Sequence, residues 1–180
     1  MVEFSDQQFL PGAGLNLYQF LANRVYESGG RKLRLTVTGH SLGGALAPTL
    51  ALWLLDTRQR SDDPECPAWD RGLQTQIEVV PFAGPSPGNK DFAEYYDSKL
   101  GEQTRRLYNP FDVVPHGWAL AALQKLPSLY HPEIAPDWLM KILLRAALLL
   151  ARGGDYVQIM SQAVPLEGGP PTTNCPRIFP

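Results

Sequence analysis

Residues 33–49 read Leu-Arg-Leu-Thr-Val-Thr-Gly-His-Ser-Leu-Gly-Gly-Ala-Leu-Ala-Pro-Thr. Leu33, Leu35 and Val37 alternate with Arg34, Thr36 and Thr38, as a half-buried strand does. From Leu42 onward the apolar residues follow helical spacing instead. Ser41 stands at the change of period, with Gly39 and Gly43 two residues to either side. A strand that turns sharply into a helix lifts the residue between them clear of the sheet, and glycines on both sides remove side chains that would collide with the turn. A G-x-S-x-G match alone arises by chance in roughly one chain in twenty of this length. The strand before it and the helix after it turn the match into a constraint on the fold.

The surrounding chain supports a parallel α/β layer. Leu15, Tyr18, Leu21, Ala22 and Val25 fall on one helical face, and Gly29-Gly30 supply a stop, which predicts a helix over 15–28. Leu46, Leu50, Trp53 and Leu54 form an apolar stripe on a helix reaching about Arg58, with Pro48 predicting a kink. Residues 59–74 read as a polar surface excursion. Ile77–Phe82 reads as a second strand, and a helix follows with Phe92, Tyr95, Tyr96 and Leu100 inward and Gly101 ending it. A third strand, Thr104–Asn109, runs into Asp112. Strands alternating with helices make a parallel sheet, and functional residues of such sheets lie beyond the carboxyl ends of the strands. Ser41 and Asp112 both stand there.

Past Asp112 the pattern thins. Short and long helices are expected at Trp118–Lys125 and Trp138–Arg152, no fourth strand stands out, and Tyr156–Met160 is the one apolar stretch in an otherwise irregular end. The Trp138–Arg152 helix reads as a buried cover for the sheet, with a lid docking on lipid as the alternative. Trp118, Tyr130 and Trp138 read as core, with an acyl pocket as the alternative. Asp70 and Asp97 read as solvated surface, and Arg105 and Arg106 as snorkelling or paired with acids.

Composition narrows the function classes. A chain of 180 residues suits one domain, 1–180, and a net charge of −2 without a basic aromatic stripe gives no case for nucleic acid. No Cys or His cluster has ligand spacing, so no metal and no cofactor is expected. Cys66 and Cys175 are read as either a pair or two free thiols. The first residues carry no basic stretch followed by an apolar run, which leaves the cytoplasm as the default compartment.

Three segments together resemble the class 3 lipases of the α/β-hydrolase fold, in particular their bacterial members. Thr38-Gly39-His40-Ser41-Leu42-Gly43-Gly44-Ala45-Leu46-Ala47 is similar to the family's nucleophile motif. Phe82-Ala83-Gly84-Pro85-Ser86-Pro87-Gly88-Asn89 is similar to its second marker, and Arg106-Leu107-Tyr108-Asn109-Pro110-Phe111-Asp112-Val113-Val114-Pro115 to the segment bearing its aspartate. The resemblance covers about residues 15–118. It implies a partial α/β-hydrolase fold, a parallel sheet of about three strands covered by helices. It implies Ser41 as nucleophile, Asp112 as the carboxylate orienting a histidine base, and the Leu42 backbone N–H as an oxyanion donor. The substrate implied is an acyl ester or lipid, met through transient contact with a lipid interface, with a phospholipase, short-chain esterase or acyltransferase as near alternatives.

The histidine is the missing part. His40 adjoins the serine and reads as structural; His116 and His131 read locally as loop or surface residues. In the family the base follows a later strand, and further strands precede the first helix. The expectation is therefore a lipase domain truncated at both ends, weak or inactive by itself. The alternative from a different class is a catalytically dead relative that binds lipid or a protein partner.

Overall fold

A computed structural model of the chain describes residues 12–59 and 68–126, and beyond them 145, 148, 149, 151, 153–160, 163, 165 and 166. Cys66, His131, Tyr130, Trp138 and Cys175 lie outside the described residues, as does most of the expected Trp138–Arg152 helix, of which 145, 148, 149 and 151 are helical. Two compact units emerge: residues 1–37 with 50–78, and residues 38–49 with 79–180.

In the first unit, helix α1 (Leu17–Glu27) begins at Asn16, which caps it reciprocally with Gln19: the Asn16 side chain accepts from the Gln19 N–H and the Gln19 side chain from the Asn16 N–H. Tyr18 and Leu21 are buried, with Leu15, Ala22 and Val25 half-buried beside them, so the expected face is the inward one. The helix stops where Gly29 and Gly30 take φ of 61° and 88°, which favours glycine. Tyr18 meets the ring of Trp53 edge-on at 4.9 Å. Trp69 donates its indole N–H to the Leu54 carbonyl at 3.1 Å.

Asp70 is a correction to the expectation of a solvated surface: it is 0% exposed. Its carboxylate accepts the N–H groups of Gln74 at 2.9 Å and Thr75 at 2.8 Å, and its own N–H donates to the Arg58 carbonyl at 2.9 Å. Two amide donors replace the water a buried carboxylate would lose, which a residue's polarity alone does not reveal.

Strand β1 (Leu33–His40) pairs with β2 (Thr75–Phe82). Leu33 N–H meets the Gln74 carbonyl at one end and Ser41 N–H the Phe82 carbonyl at the other, so the two strands advance together and are parallel. The extended segment 104–107 adds to β2 through parallel bridges Val79–Thr104 and Phe82–Leu107. About three parallel strands result, as expected, though the third is shorter than Thr104–Asn109. Alongside it, Leu166 N–H donates to the Tyr108 carbonyl at 2.8 Å.

Helix α2 (Leu42–Thr57) runs on through Pro48. Ala45, Ala47, Ala51, Leu52 and Leu54 are buried, whereas Leu46, Leu50 and Trp53 of the expected stripe are exposed, Leu46 by 57%. The helix is apolar on nearly every face, so its periodicity could not select the packed one. The second unit continues with β3 (Gly88–Asn89), α3 (Lys90–Leu100), short 3₁₀ turns at Gly101–Gln103 and Val114–His116, α4 (Leu120–Leu123) and β4 (Tyr156–Val157). β4 pairs antiparallel with β3, Gly88 opposite Val157. On α3, Ala93, Tyr96 and Leu100 are buried; Tyr95 is exposed instead, with the Lys99 ammonium 5.5 Å over its ring. Trp118 is likewise exposed rather than core, its ring 6.1 Å from that of Tyr156.

A backbone contact anchors this unit. A Cβ on Gly44 would sit 2.5 Å from the Phe82 carbonyl oxygen and 2.8 Å from the Gly84 Cα, and one on Gly84 would sit 2.5 Å from the Gly44 carbonyl carbon. The start of α2 and the loop after β2 thus touch main chain to main chain. Gly43 is different: nothing lies within 4 Å of its Cβ position, so the expected collision there is absent. Gly84→Ala is expected to lower unfolding free energy by about 2 kcal/mol or more through overpacking against backbone, while Gly43→Ala loses none; urea unfolding of both variants checks the contrast.

Tyr96 carries a second consequence. Thr104 donates its hydroxyl proton to the Leu100 carbonyl, so across the 2.7 Å gap between the Tyr96 and Thr104 hydroxyls the phenol is the donor. Burial pushes the Tyr96 pKa up from 10.0 to about 12, against the lowering effect of the Thr104 hydrogen bond and with help from Asp97. Because the folded-state value is the higher one, this stabilising contribution is complete below pH 10 and is lost as pH rises toward about 12. Urea unfolding across that range is expected to show a steeper alkaline loss for the wild type than for Tyr96→Phe.

Candidate active site

Ser41 is the single residue between the end of β1 and the start of α2, and its φ of 56° lies in the left-handed region. A non-glycine residue there costs on the order of 1–3 kcal/mol and persists only where the surroundings enforce it. They do so through the backbone. Ser41 N–H donates to the Phe82 carbonyl at 3.0 Å, and the Ser41 carbonyl accepts from Gly44 N–H at 2.9 Å and Ala45 N–H at 3.3 Å. A Cβ on Gly39 would run into the Gly43 carbonyl group, so glycine is required at that flank. The serine side chain is half-buried, and among the described residues none hydrogen-bonds its hydroxyl.

Leu42 opens α2, so no helical carbonyl precedes it to take its N–H. That N–H, at the positive end of the helix dipole, is a donor next to the Ser41 hydroxyl in sequence and suited to an oxyanion. Ala83, one residue past β2, also has a left-handed φ, 47°, and its N–H donates to the Leu107 carbonyl at 2.9 Å. Two strands therefore end in bends at the same sheet edge. The sequence signals for this second bend were the Ala-Gly pair after β2 and the second glycine of Gly43-Gly44.

Asp112 lies beyond the carboxyl end of segment 104–107, at that same edge. Its Oδ1 accepts the Val114 N–H at 3.0 Å, and its own N–H donates to the Asn109 carbonyl at 3.0 Å. Asn109 in turn accepts the Phe111 N–H at 2.9 Å, and His116 and Gly117 close the turn onto Val113 and Val114. The loop that bears Asp112 is fixed by its own short-range bonds, and among the described residues none hydrogen-bonds its second carboxylate oxygen.

The described histidines, His40 and His116, do not complete the set. His116 points its Nε2 at the Pro110 carbonyl, 3.1 Å away. His40 is exposed at the end of β1. Neither hydrogen-bonds Ser41 or Asp112. Arg106 departs from expectation: it is buried, its guanidinium sits 4.2 Å over the Tyr108 ring, and among the described residues it forms no ion pair with a carboxylate. Burial lowers its pKa from the ordinary guanidinium value while Tyr108 opposes the shift. The exposed Arg105 reaches solvent as expected. Among the described residues no three His, Cys, Asp or Glu side chains gather as a metal site, and no helix is long and apolar enough to cross a membrane.

Comparison with known proteins adds an independent line. Residues 18–121 match the family described as Lipase (class 3). The chain is similar to phospholipase A1-Igamma2, chloroplastic, of Arabidopsis thaliana, 36% identical over 110 residues covering 61% of this chain and 18% of that protein. It is similar to lipase ZK262.3 of Caenorhabditis elegans, 33% identical over 99 residues, 55% of this chain and 24% of that one. Among solved structures, M37 lipase superposes with a TM-score of 0.75 at 38% identity, over 91% of this chain and 45% of that chain. The chain thus spans less than half the length of each of these relatives. The matched span holds more than half of the chain, both strand-end bends, Ser41 and Asp112, and the chain belongs to the class 3 lipase family.

Proposed function

We propose that this chain carries the nucleophile and carboxylate of a serine-dependent lipid ester hydrolase. The observation that supports it most is the left-handed Ser41 between β1 and α2, a strained placement of the kind that clusters at active sites. In the reaction, Ser41 Oγ bonds to the ester carbonyl carbon while a histidine base takes the hydroxyl proton. The Leu42 N–H holds the developing oxyanion. The imidazolium then protonates the departing alcohol, leaving an acyl-Ser41 ester that water cleaves by the same steps. Asp112 steadies the imidazolium through its second carboxylate oxygen. The lipid substrate class follows the phospholipase A1 and lipase relatives, whose names carry that chemistry.

His116, turned to the Pro110 carbonyl, favours a second reading, in which the chain by itself is a lipid- or protein-binding module with an inactive serine. A fluorophosphonate probe separates the two. The active reading expects one covalent adduct, mapped by mass spectrometry to Ser41, and its loss in Ser41→Ala. Asp112→Asn should slow labelling by at least about tenfold. A folded chain with no adduct, or one bearing it elsewhere, overturns the hydrolase reading in favour of the module.

The strain at Ser41 gives a test that needs no activity. Ser41→Gly frees the left-handed backbone and is expected to raise unfolding free energy by about 1 kcal/mol. An unchanged or lower midpoint in urea would count against a strained turn.

A further inference from the structure

Gln158 follows β4 directly. Its carboxamide nitrogen donates to the Gly84 carbonyl at 3.1 Å and, at the longer 3.4 Å, to the Pro115 carbonyl, while its carboxamide oxygen accepts the Ile159 N–H at 3.1 Å. The two carbonyls belong to different loops. Gly84 lies against Gly44, in the first turn of α2 behind Ser41. Pro115 lies in the 3₁₀ turn Val114–His116, just past Asp112. A primary amide nitrogen carries two protons, and here carbonyls of both loops lie within its hydrogen-bonding reach.

We propose that Gln158 is a positioning residue that fixes the Asp112 loop against the loop backing the serine turn. The proposal rests on the reading of Ser41 and Asp112 as catalytic partners; Gln158 touches neither of their side chains. Its own seat is firm. Ile159 is buried, Met160 N–H is held by both oxygens of the Asp97 carboxylate at 3.1 Å, and β4 is paired with β3. The two loops share one further hydrogen bond, Ser86 N–H to the Gly117 carbonyl at 3.3 Å. One tie permits a pivot; a second tie removes it. An orientation error of about 1 Å between reacting groups is enough to lower a rate about a hundredfold, so a second tie matters more to chemistry than to stability.

The test compares Gln158→Met, close in length and volume but without donors, with Gln158→His, which keeps one N–H. Amide hydrogen exchange on the whole chain reports the Ser86, Val114, His116 and Gly117 N–H groups, all bonded within the two loops. In Gln158→Met these should exchange about tenfold faster, with α1 unchanged and Gln158→His in between. Fluorophosphonate labelling of Ser41 should slow by a similar factor in the inactivation rate, not in the half-saturating probe concentration. Unchanged loop exchange overturns the proposal, and so does loosening that extends equally to α1. A wild type that takes no label but whose loops loosen in Gln158→Met retains the clamp and removes the catalytic reading of Ser41. Should Gln158→Met fail to fold, Gln158→His decides by the same two readouts.

Discussion

The main-chain contact between Gly44 and Gly84 is the constraint on which the rest of the site depends. Backbones that touch without intervening side chains have their separation set by the van der Waals radii of main-chain atoms, which do not adjust as rotamers do. Gly39 meets Gly43 in the same way one turn earlier. Between elements held at these distances, Ser41, the single residue joining β1 to α2, adopts a left-handed φ. Its strain is a consequence of packing that the Phe82 and Gly44 hydrogen bonds then stabilise.

The two functional loops are held by different physics. Ser41 is fixed by long-range contacts between strand, helix and neighbouring loop, so it exists only in the folded unit. Asp112 is fixed by bonds spanning two or three residues, through Asn109, Val113 and Val114. A local turn of this kind can form early and cheaply, but it cannot by itself know where the serine is. The parallel bridges from Val79 to Thr104 and Phe82 to Leu107 bring its strand to the correct edge, and Gln158 joins its far side to Gly84.

Much of this was legible in the residues and some was not, for reasons that differ from place to place. The serine turn could be read because strand period, glycine spacing and helix period change within a few residues. The parallel order could be read because each strand is followed by a helix. Asp70 could not, since an acid in a polar stretch gives no sign that two backbone amides will replace its water. The face of α2 could not, since Leu46 and Trp53 are as apolar as the Ala and Leu residues that are buried. Gly43 was read as a steric necessity, yet only Gly39 of that pair is one: a Cβ on Gly39 would run into the Gly43 carbonyl, whereas one on Gly43 meets nothing within 4 Å. Gln158 carried no sequence signal: its two bonds reach chain positions far from it, and a glutamine in an irregular segment is ordinarily solvated.

Placement and activation of the serine are separable. The left-handed turn, the Leu42 N–H at the start of α2 and the helix dipole all derive from residues 33–49 and their backing loop, and none of them needs a histidine side chain. On the proposed reading they would supply a preorganised position for an oxyanion, the part of catalysis that owes least to proton transfer. A base and its carboxylate add the proton shuttle, and for them the relevant quantity is the separation of the Asp112 loop from the serine turn. Among the described residues, the ties between these loops are Ser86 N–H to the Gly117 carbonyl and the Gln158 carboxamide to the Gly84 and Pro115 carbonyls, beside the parallel bridge from Phe82 to Leu107. On the proposed reading, the half of the site built around the serine turn would hold the oxyanion, and the half carried by the Asp112 loop would serve the proton shuttle.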